Sequence, residues 1–367
     1  TWLIIKSKRS FAVSKRVLVA MSGGVDSAVA AALLVQQGYA VIGVTLRLYT
    51  EPDEVALRSG RTCCGIEDIG DAKSAAAAIG IPHYTLNMEK EFETNVLNPF
   101  IESYTNGRTP NPCVNCNQHV KFDVLFEKAK AFECDYLATG HYASIRENKN
   151  QLYELHCALD AEKDQTYVLY MLGQDQLART LFPLGNLQKD QVRDVARSLG
   201  MSIADKPDSV DICFVPGGDY RVVLENHGVE MNSGVIELAS GEAVGSHTGV
   251  AGYTVGQRRG LGIATGQKNF VTDIDPLRNV VVIGNEDDLY KNSARFSQAS
   301  WVGNAPIVGD QLEARIRYHA DPIPGRLVSI GKLNKFSFET PARGPTPGQV
   351  LVLYQGSRVV GGGIIEP

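Results

Sequence analysis

The chain has no run near the ~18 consecutive apolar residues of a membrane-crossing helix, so no helical membrane span is expected. Excess charge is also lacking. A net charge of −5 over 367 residues singles out neither nucleic acid nor a membrane surface as partner. Cysteine is sparse: seven in a chain of this length do not make the disulfide framework of a small secreted domain. No internal repeat or low-complexity tract is visible, which excludes solenoids and arrays. Residues 1–14 carry Lys6, Lys8 and Arg9 but no apolar core long enough for a signal peptide. They read as a disordered tail, with an organelle-targeting remnant as the alternative. What remains is 44% hydrophobic and long enough for two or three domains.

The most informative stretch is Ser22-Gly23-Gly24-Val25-Asp26-Ser27. It follows the apolar run Arg16–Ala20, which predicts a buried strand, and precedes Ala28–Gln37, which predicts a helix stopped by Gly38. A glycine pair there lets backbone approach an anion. The Ser22 and Ser27 hydroxyls and the N–H groups of the helix start can hold phosphate oxygens. No Lys follows the second glycine, so the loop is not a Walker A loop, and the spacing is not Gly-x-Gly-x-x-Gly. It resembles the pyrophosphate loop of enzymes that split ATP into AMP and pyrophosphate. The plainer reading is an Asp/Ser cap on an ordinary helix.

Three regions follow along the chain. From 15 to 208, strands at Arg16–Ala20, Ala40–Leu48, His83–Asn87 and Tyr136–Thr139 alternate with helices near Glu67–Ile79, Lys90–Thr105, Phe122–Phe132 and Val192–Leu199. This predicts an α/β domain with a doubly wound parallel sheet and the loop at the carboxyl end of its first strand. From 209 to 284 glycine is frequent and periodicity weak, as in a small central domain. From 285 to 367 a C-terminal β-barrel is expected. Its short strands are read at Leu312–Tyr318, Gly325–Ile330, Val350–Tyr354 and Val359–Ile365, with Val280–Ile283 counted among them. Residues 291–367 hold nine Lys/Arg against five Asp/Glu, which suggests a basic face.

Two cysteine segments carry the remaining chemistry. In Gly107–Asn117, Pro110 and Pro112 bar a helix before Cys113, and Asn117 is expected to cap the next helix. That would put Cys116 near a helix N-terminus, where the dipole favours thiolate. Cys113-x-x-Cys116 also suits half a zinc site, which Cys63, Cys64 and Cys213 could complete in space. The plainer reading is a proline-rich turn with incidental cysteines. Cys213 sits in Asp208–Phe214 among two acids and a hydroxyl; alone it reads as a buried apolar residue. Paired with Cys116 it suggests two thiols that carry sulfur, one holding a persulfide and the other resolving it as a disulfide. Cys134 and Cys157 read as core.

On these residues the chain resembles the tRNA-specific 2-thiouridylases along nearly its whole length. The matching blocks are Ala20–Ser27, Gly107–Lys121, Ala138–Tyr142, Lys163–Tyr170, Leu181–Pro183, Lys206–Phe214 and Tyr253–Ile263. The family's architecture is a pyrophosphate-loop domain, a small central domain and a β-barrel. The resemblance implies ATP binding by Ala20, Met21, Ser22, Gly23, Gly24, Val25, Asp26 and Ser27, with Leu46 and Gly140 lining the nucleotide site. It implies that Asn111, Pro112 and Cys113 touch the target uridine. Cys116 is implied as the nucleophile that meets the sulfur donor, and Cys213 as the persulfide carrier. His141, Lys163, Asp164, Gln165, Arg317, Tyr318 and Gln349 are implied as tRNA contacts. Without the resemblance, Lys163 and Arg317 read as solvated charges and His141 as a core histidine.

The implied reaction places sulfur on C2 of a wobble uridine of tRNA. ATP adenylates the C2 oxygen, Mg²⁺ steadies the departing pyrophosphate, and the Cys213 persulfide displaces AMP. Cys116 then closes a disulfide. The base must leave its stack, and phosphate contacts would offset that cost. The partners implied are tRNA and a sulfur donor, either a cysteine desulfurase or a sulfur-carrier protein. A cytoplasmic monomer is expected. Many family members have Asp at the position of Cys113. That departure weakens a carboxylate base here and opens a second route, with an iron–sulfur cluster on Cys113, Cys116 and Cys213. Another pyrophosphate-loop ligase or amidotransferase would share the loop but not need the thiol pair. A non-catalytic RNA-binding or zinc-stabilised protein would keep the barrel and not need Asp26 or Ser27.

Overall fold

Strand β1 (Arg16–Ala20) buries Val17, Leu18 and Val19 completely, so both faces of its sheet must be covered. The computed structural model describes residues 14–49, 66–208, 212–263 and 266–367. All but the last residue of the tail expected at 1–14, the loop from 50 to Arg61 and the Cys63-Cys64 pair lie outside the described residues. Beside β1 lie β2 (Ala40–Arg47), β3 (His83–Asn87) and β4 (Tyr136–Thr139). The β5 (Ser144–Glu147) and β6 (Tyr153–His156) hairpin follows, then β7 (Thr180–Leu181). Strands β3-β2-β1-β4-β7 form one sheet, and every pairing in it is parallel.

Alternation along β1 divides the cover. Val17 and Val19 pack with the helices Val25–Gln36, Ile66–Ile79 and Lys189–Ser198 through Ala28, Ala31, Ala72, Ala75, Val192 and Ala196. Leu18 and Val44 face the opposite cluster of Phe92, Val96, Phe100, Val120 and Phe122. The alanines of the first helix allow its close approach to the sheet. The doubly wound α/β arrangement expected from the sequence is therefore present.

Helix detail differs from expectation in one place that matters. The run before Gly107 is α-helical at Glu89–Phe92, π-helical at Glu93–Leu97 and α-helical at Asn98–Thr105. The next helix does not start after Asn117. Asn111 caps it by accepting from Cys113 N at 3.1 Å, with Pro112 at the first helical position. It continues as a π-helix over Cys116–Val124 and as an α-helix over Leu125–Ala131. Asn117 is instead buried and donates to the Val168 carbonyl at 2.9 Å. Pro112 opens this helix instead of barring it, because proline suits the first helical position, where no N–H is needed.

The central unit has four strands: β8 (Gly234–Leu238), β9 (Ala243–His247), β10 (Phe270–Asp275) and β11 (Val280–Gly284), in the order β10-β11-β8-β9. Val280–Ile283 belongs here, paired with β10 and β8, and not with the C-terminal strands. Its alternate residues Val281 and Ile283 fill a core with Ile236, Val271 and Ile274.

The C-terminal strands are β12 (Tyr290–Trp301), β13 (Gln311–Arg315), β14 (Ile323–Ser329), β15 (Leu333–Arg343), β16 (Val350–Gln355) and β17 (Arg358–Glu366). They run β12-β15-β14-β13-β16-β17, and β12 also pairs with β17, so the sheet closes into a six-stranded barrel around Phe296, Leu327, Phe336 and Leu353. The sheet continues past closure, because His156 of β6 pairs with Arg358 of β17.

Side chains join the barrel to the α/β domain. Arg315 on β13 donates to Asp164 at 3.0 Å, while Asp164 also accepts from Ala158 N at 3.0 Å and Thr166 Oγ1 at 2.8 Å. Tyr167 OH donates to the Val350 carbonyl at 2.8 Å. Asp164 is almost fully enclosed, so its charge requires that cation. Arg315→Met should cost about 3–5 kcal/mol, as for a buried charge left alone. In urea denaturation the double variant with Asp164→Asn should recover part of that loss, and an unchanged midpoint for Arg315→Met would show that the pair carries no weight.

Candidate active site

The loop sits where β1 delivers it. Met21 N donates to the Val44 carbonyl at 2.7 Å and Met21 O accepts from Thr45 Oγ1 at 2.7 Å, which continues the β1–β2 ladder into the turn. Ala20 ends β1, and Leu46 near the end of β2 is buried in the adjoining cluster. Gly23 has φ +77°, and a Cβ there would lie 2.3 Å from the Asp68 carbonyl oxygen. Gly24 is the N-cap of Val25–Gln36 and brings no side chain across the free N–H groups. Ser22 N donates to Ser27 Oγ at 3.1 Å, the two hydroxyls lie 3.4 Å apart, and Ser27 Oγ donates to the Gly24 carbonyl at 3.1 Å. Gly140, just past β4, closes the other side: a Cβ there would lie 2.7 Å from Ser27 N. Amide groups, two hydroxyls and a helix N-terminus thus converge on one anion-sized place.

Asp26 points into a charged cluster that the sequence reading did not find. Lys189 Nζ donates to both Asp26 oxygens at 2.8 Å, and Tyr142 OH donates to Oδ1 at 2.8 Å. The same ammonium lies 2.8 Å from Asp208 Oδ1. Lys163 holds Asp208 Oδ2 at 2.8 Å, and Arg193 holds Oδ1 at 3.1 Å. Burial alone would raise the Asp208 pKa, but hydrogen bonds from Lys163 and Lys189 hold it below the usual carboxylate value. Burial, then the Asp26 charge, pushes the Tyr142 phenol far up, so it remains a donor. Lys206 adds a second cation at the loop, 3.4 Å from the Gly23 carbonyl and bound to Asp68 at 2.7 Å and Asp71 at 2.6 Å. The helix expected at Val192–Leu199 begins three residues earlier, at Lys189, and nothing in an isolated lysine reveals a partner far away in sequence.

The cysteines lie on the other side of the sheet. Cys116 is buried in the cluster with Phe122, and Cys213 packs half-buried against the same cluster. The Cys213 carbonyl accepts from Tyr49 OH at 2.8 Å, and Phe214 stands edge-on to Phe92 and Phe100 at 5.3 and 5.1 Å. Cys113 is exposed and occupies the first helical turn, whereas Cys116 is beyond it; the helix dipole acts on the first turn. Cys134 is buried in that core, and Cys157 is half-buried beside Thr166 at 3.7 Å. Among the described residues no three His, Cys, Asp or Glu side chains gather as a metal-binding group.

The remaining candidates divide into two sets. Around Cys113, Gln349 Nε2 donates to the Thr109 and Pro110 carbonyls at 3.0 and 3.1 Å, so the barrel clamps the Asn111-Pro112-Cys113 turn. Tyr318 has its phenol pushed up to about 12, chiefly by burial, with a hydrogen bond to Gln165 acting against this and the Cys113 thiol close enough to contribute. Arg317 donates to the Gly344 carbonyl at 3.1 Å; burial, then Arg343, lowers its pKa. Lys163 belongs with Asp208 in the cluster above. Asp164 and His141 are enclosed instead. His141 sits against Thr139 Oγ1 at 2.7 Å between Phe122 and Phe182, and burial, then Lys121, lowers its pKa well below the ordinary value. Gln165 joins the two sets, since its Oε1 accepts from Tyr142 N at 3.0 Å. A separate cavity of about 480 Å³, lined by Asn148, Glu154, Asn304 and Arg358 among others, includes no loop or thiol residue.

A glycine-paired anion loop at the carboxyl end of the first strand of a parallel sheet, followed by two small β units, defines a three-part α/β protein built to hold a phosphate chain. Residues 15–217 match the family described as tRNA methyl transferase HUP domain, residues 221–285 its PRC-barrel domain, and residues 291–365 the aminomethyltransferase beta-barrel domain. The chain is 46% identical to a tRNA-specific 2-thiouridylase of Carboxydothermus hydrogenoformans, covering 96% of this chain and 98% of that one. It is 43% identical to that of Clostridioides difficile, over 96% and 99%. The chain belongs to the tRNA-specific 2-thiouridylase family.

Two outcomes follow for the site. Gly23→Ala should destabilise the protein by about 1–3 kcal/mol through its positive φ alone, with more from the Asp68 clash. Gly38→Ala, at φ +89° with open space around it, should show only the first part; equal urea midpoints for the two variants would contradict the close packing at Gly23. The second concerns pH. An unfolded His141 takes up its proton near pH 6.5 and the folded one resists, so stability present above that pH is lost as pH falls below it. The wild type should lose up to about 1.4 kcal/mol per pH unit there relative to His141→Gln, and parallel curves for the two proteins would refute a neutral buried His141.

Proposed function

We propose that the protein uses ATP to replace the C2 oxygen of the wobble uridine of tRNA with sulfur. The observation that carries this reading is a built phosphate loop in the same domain as two thiol segments, 113–116 and 213, that share one apolar cluster. A ligase or amidotransferase needs the loop alone, and an RNA-binding module needs neither.

The chemistry starts from a poor electrophile. Uracil C2 accepts sulfur only when its oxygen is made a leaving group. The backbone amides from Ser22 to Ser27 and the hydroxyls of Ser22 and Ser27 are suited to hold the ATP phosphates while O2 attacks the α-phosphate and pyrophosphate departs. Lys163, Lys189 and Arg193 stand beside the loop as cations for the charge that develops. Mg²⁺ is expected to arrive with ATP. The described residues show no three-ligand protein group for it or for an iron–sulfur cluster, so no step here is assigned to either.

The terminal sulfur of a Cys213 persulfide then forms the C–S bond and AMP leaves. The Cys116 thiolate attacks Cys213 Sγ, the S–S bond to the uridine sulfur breaks, and that sulfur keeps the electron pair as the thiocarbonyl. An external thiol reduces the Cys116–Cys213 disulfide, and a sulfur donor reloads Cys213. Asn111, Pro112, Cys113, Gln165, Arg317, Tyr318 and Gln349 are proposed to form or support the uridine pocket, with the barrel's basic residues on the RNA backbone. Lys163, Asp164 and His141 act from behind that surface, through Asp208, Arg315 and Thr139.

The test separates the steps. Ser27→Ala should abolish tRNA-dependent AMP release. Cys116→Ser and Cys213→Ser should abolish thiolation, with wild-type Cys213 gaining about one sulfur, ~32 Da, on incubation with a cysteine desulfurase. Cys113→Asp should keep much of the activity without iron. An oxygen-sensitive, iron-containing wild type whose Cys113→Asp form has lost both metal and activity would overturn the persulfide route. AMP release unaffected by Ser27→Ala would overturn adenylation at this loop.

A further inference from the structure

The cavity of about 480 Å³ that lies apart from the loop and the thiols has reactive groups at its edge. Strands β6 and β17 join there through the pair His156–Arg358. Glu154 and His156, two residues apart, share one face of β6. The turn between β16 and β17, Gly356-Ser357, lies against this strand, because Cys157 N donates to the Ser357 carbonyl at 2.8 Å. Three side chains then form a relay. Ser357 Oγ lies 3.1 Å from His156 Nδ1, and His156 Nε2 lies 3.1 Å from Glu154 Oε2. The carboxylate decides the direction of both bonds. A hydrogen bond from Asn148, with His156 and Arg358 adding to it, holds the Glu154 carboxyl below its usual pKa, so it is ionised and only accepts. Nε2 of the neutral ring therefore carries the proton, Nδ1 presents its lone pair, and Ser357 Oγ donates to it. His156 is 9% exposed and its ring is held in place, whereas Ser357 is exposed. Glu154, Gln355 and Arg358 line the cavity, and Ser357 falls between the last two in the chain.

We propose that Ser357, His156 and Glu154 form a second catalytic site, a serine nucleophile with its base, that hydrolyses small uncharged acyl esters bound in the cavity. An alcohol on an imidazole that is itself held by a carboxylate is the arrangement a serine needs to attack a carbonyl. The backbone bond from Cys157 already ties the turn to β6, so the relay is not required for that. Ser357 Oγ bonds to the acyl carbon while its proton passes to His156 Nδ1, and Glu154 stabilises the imidazolium that forms. The Arg358 guanidinium, 3.6 Å from Glu154, is the cation available to the carbonyl oxygen as it turns negative. The imidazolium gives its proton to the leaving alcohol as the C–O bond breaks. Water, deprotonated by His156 Nδ1, then attacks the acyl carbon, releases the acid and returns Ser357. Leu152, Val302 and Val359 offer the acyl chain an apolar wall, and Asn304 offers an amide to its polar part. Glu154 and Asp310 outnumber Arg358 around the cavity and disfavour an anionic ester. None of the three relay residues enters the thiolation steps, so the two activities are separable.

The experiment treats the full chain with a fluorophosphonate, which bonds to an activated serine and loses fluoride, and locates the adduct by peptide mass spectrometry. Ser240 is the internal reference, since it is also an exposed turn serine but its hydroxyl accepts from Glu242 N and has no base. Ser357 should be labelled about a hundredfold faster than Ser240, the lower end of what a positioned base supplies. His156→Gln should remove that advantage, and Glu154→Gln, which keeps the side chain's volume, should remove part of it. With p-nitrophenyl acetate as substrate, wild type should release nitrophenol above the buffer rate and Ser357→Ala should not, while Ser357→Ala forms 2-thiouridine as wild type does. Equal labelling of Ser357 and Ser240 in wild type overturns the proposal, and this comparison stands even where a His156 variant fails to fold. An advantage of wild-type size in both Glu154→Gln and His156→Gln overturns the relay. Nitrophenol release unchanged in Ser357→Ala overturns the assignment of the nucleophile.

Discussion

A lysine ammonium in a nearly dry place needs carboxylates around it, and at Lys189 they come from two separate parts of the chain, Asp26 and Asp208. That requirement organises the glycine-loop side of the molecule. Asp26 must face the helix Lys189–Ser198, which orients the start of the helix Val25–Gln36 and with it the amides of the loop. Tyr142 completes Asp26 from the segment after β4, and Gly140 in the same segment presses on Ser27. Asp208 collects Lys163 and Arg193 as well, so three cations and two carboxylates surround the loop's flank. An incoming polyphosphate meets cations already held in place, which spares it the cost of gathering them.

The second constraint is a turn held by its neighbours. Residues 107–113 contain two prolines and end in an Asn cap, so the turn's shape is set locally, but its position is set by contacts with the other two units. A Cβ on Gly107 would lie 3.0 Å from Ile274 of β10, and one on Gly348 would lie 2.9 Å from the Thr109 backbone. Gln349 takes both carbonyls of the turn, and Tyr104 stacks on Tyr220 at 4.0 Å just before it. The barrel therefore fixes where Cys113 and the following helix stand. Arg315 and Asp164 reinforce the same seam.

What the sequence made legible and what it hid follow from the range of the forces. The strands at His83–Asn87 and Tyr136–Thr139, the loop and the stop at Gly38 are local in origin, and the sequence shows them. Asn117 was misread because Pro112 can open a helix as well as block one, and Asn111 was the better cap. Strands β12 and β15 went unread because their outward faces carry Lys291, Arg295, Lys335 and Glu339, leaving short apolar alternations diluted over 12 and 11 residues. Val280–Ile283 was recognised as a strand, but its partner sheet depends on pairing with Val235–Leu238, which no local pattern encodes. Among site residues, Ser22 through Ser27 announce themselves. Lys189, Arg193 and Tyr142 have roles set wholly by tertiary contacts; the burial of His141 agrees with its plain reading as a core histidine, whereas that of Asp164 depends on Arg315, far away in sequence.

The π-helical stretch Cys116–Val124 makes the spacing of this segment as specific as its composition. Each residue of an ordinary helix advances about 100° around the axis, and the wider π winding absorbs more residues over the same rise. Removing one residue between Cys116 and Phe122 while the π winding persists on either side would shorten the segment by one step. It would also rotate Cys113 and Cys116 by roughly a quarter turn relative to Phe122 and Leu125, which are fixed in the core. Such a deletion would preserve every residue assigned a role, the helix and the hydrophobic content. It would nevertheless aim the thiols at the wrong wall. Length in this short segment is thus a chemical determinant in its own right.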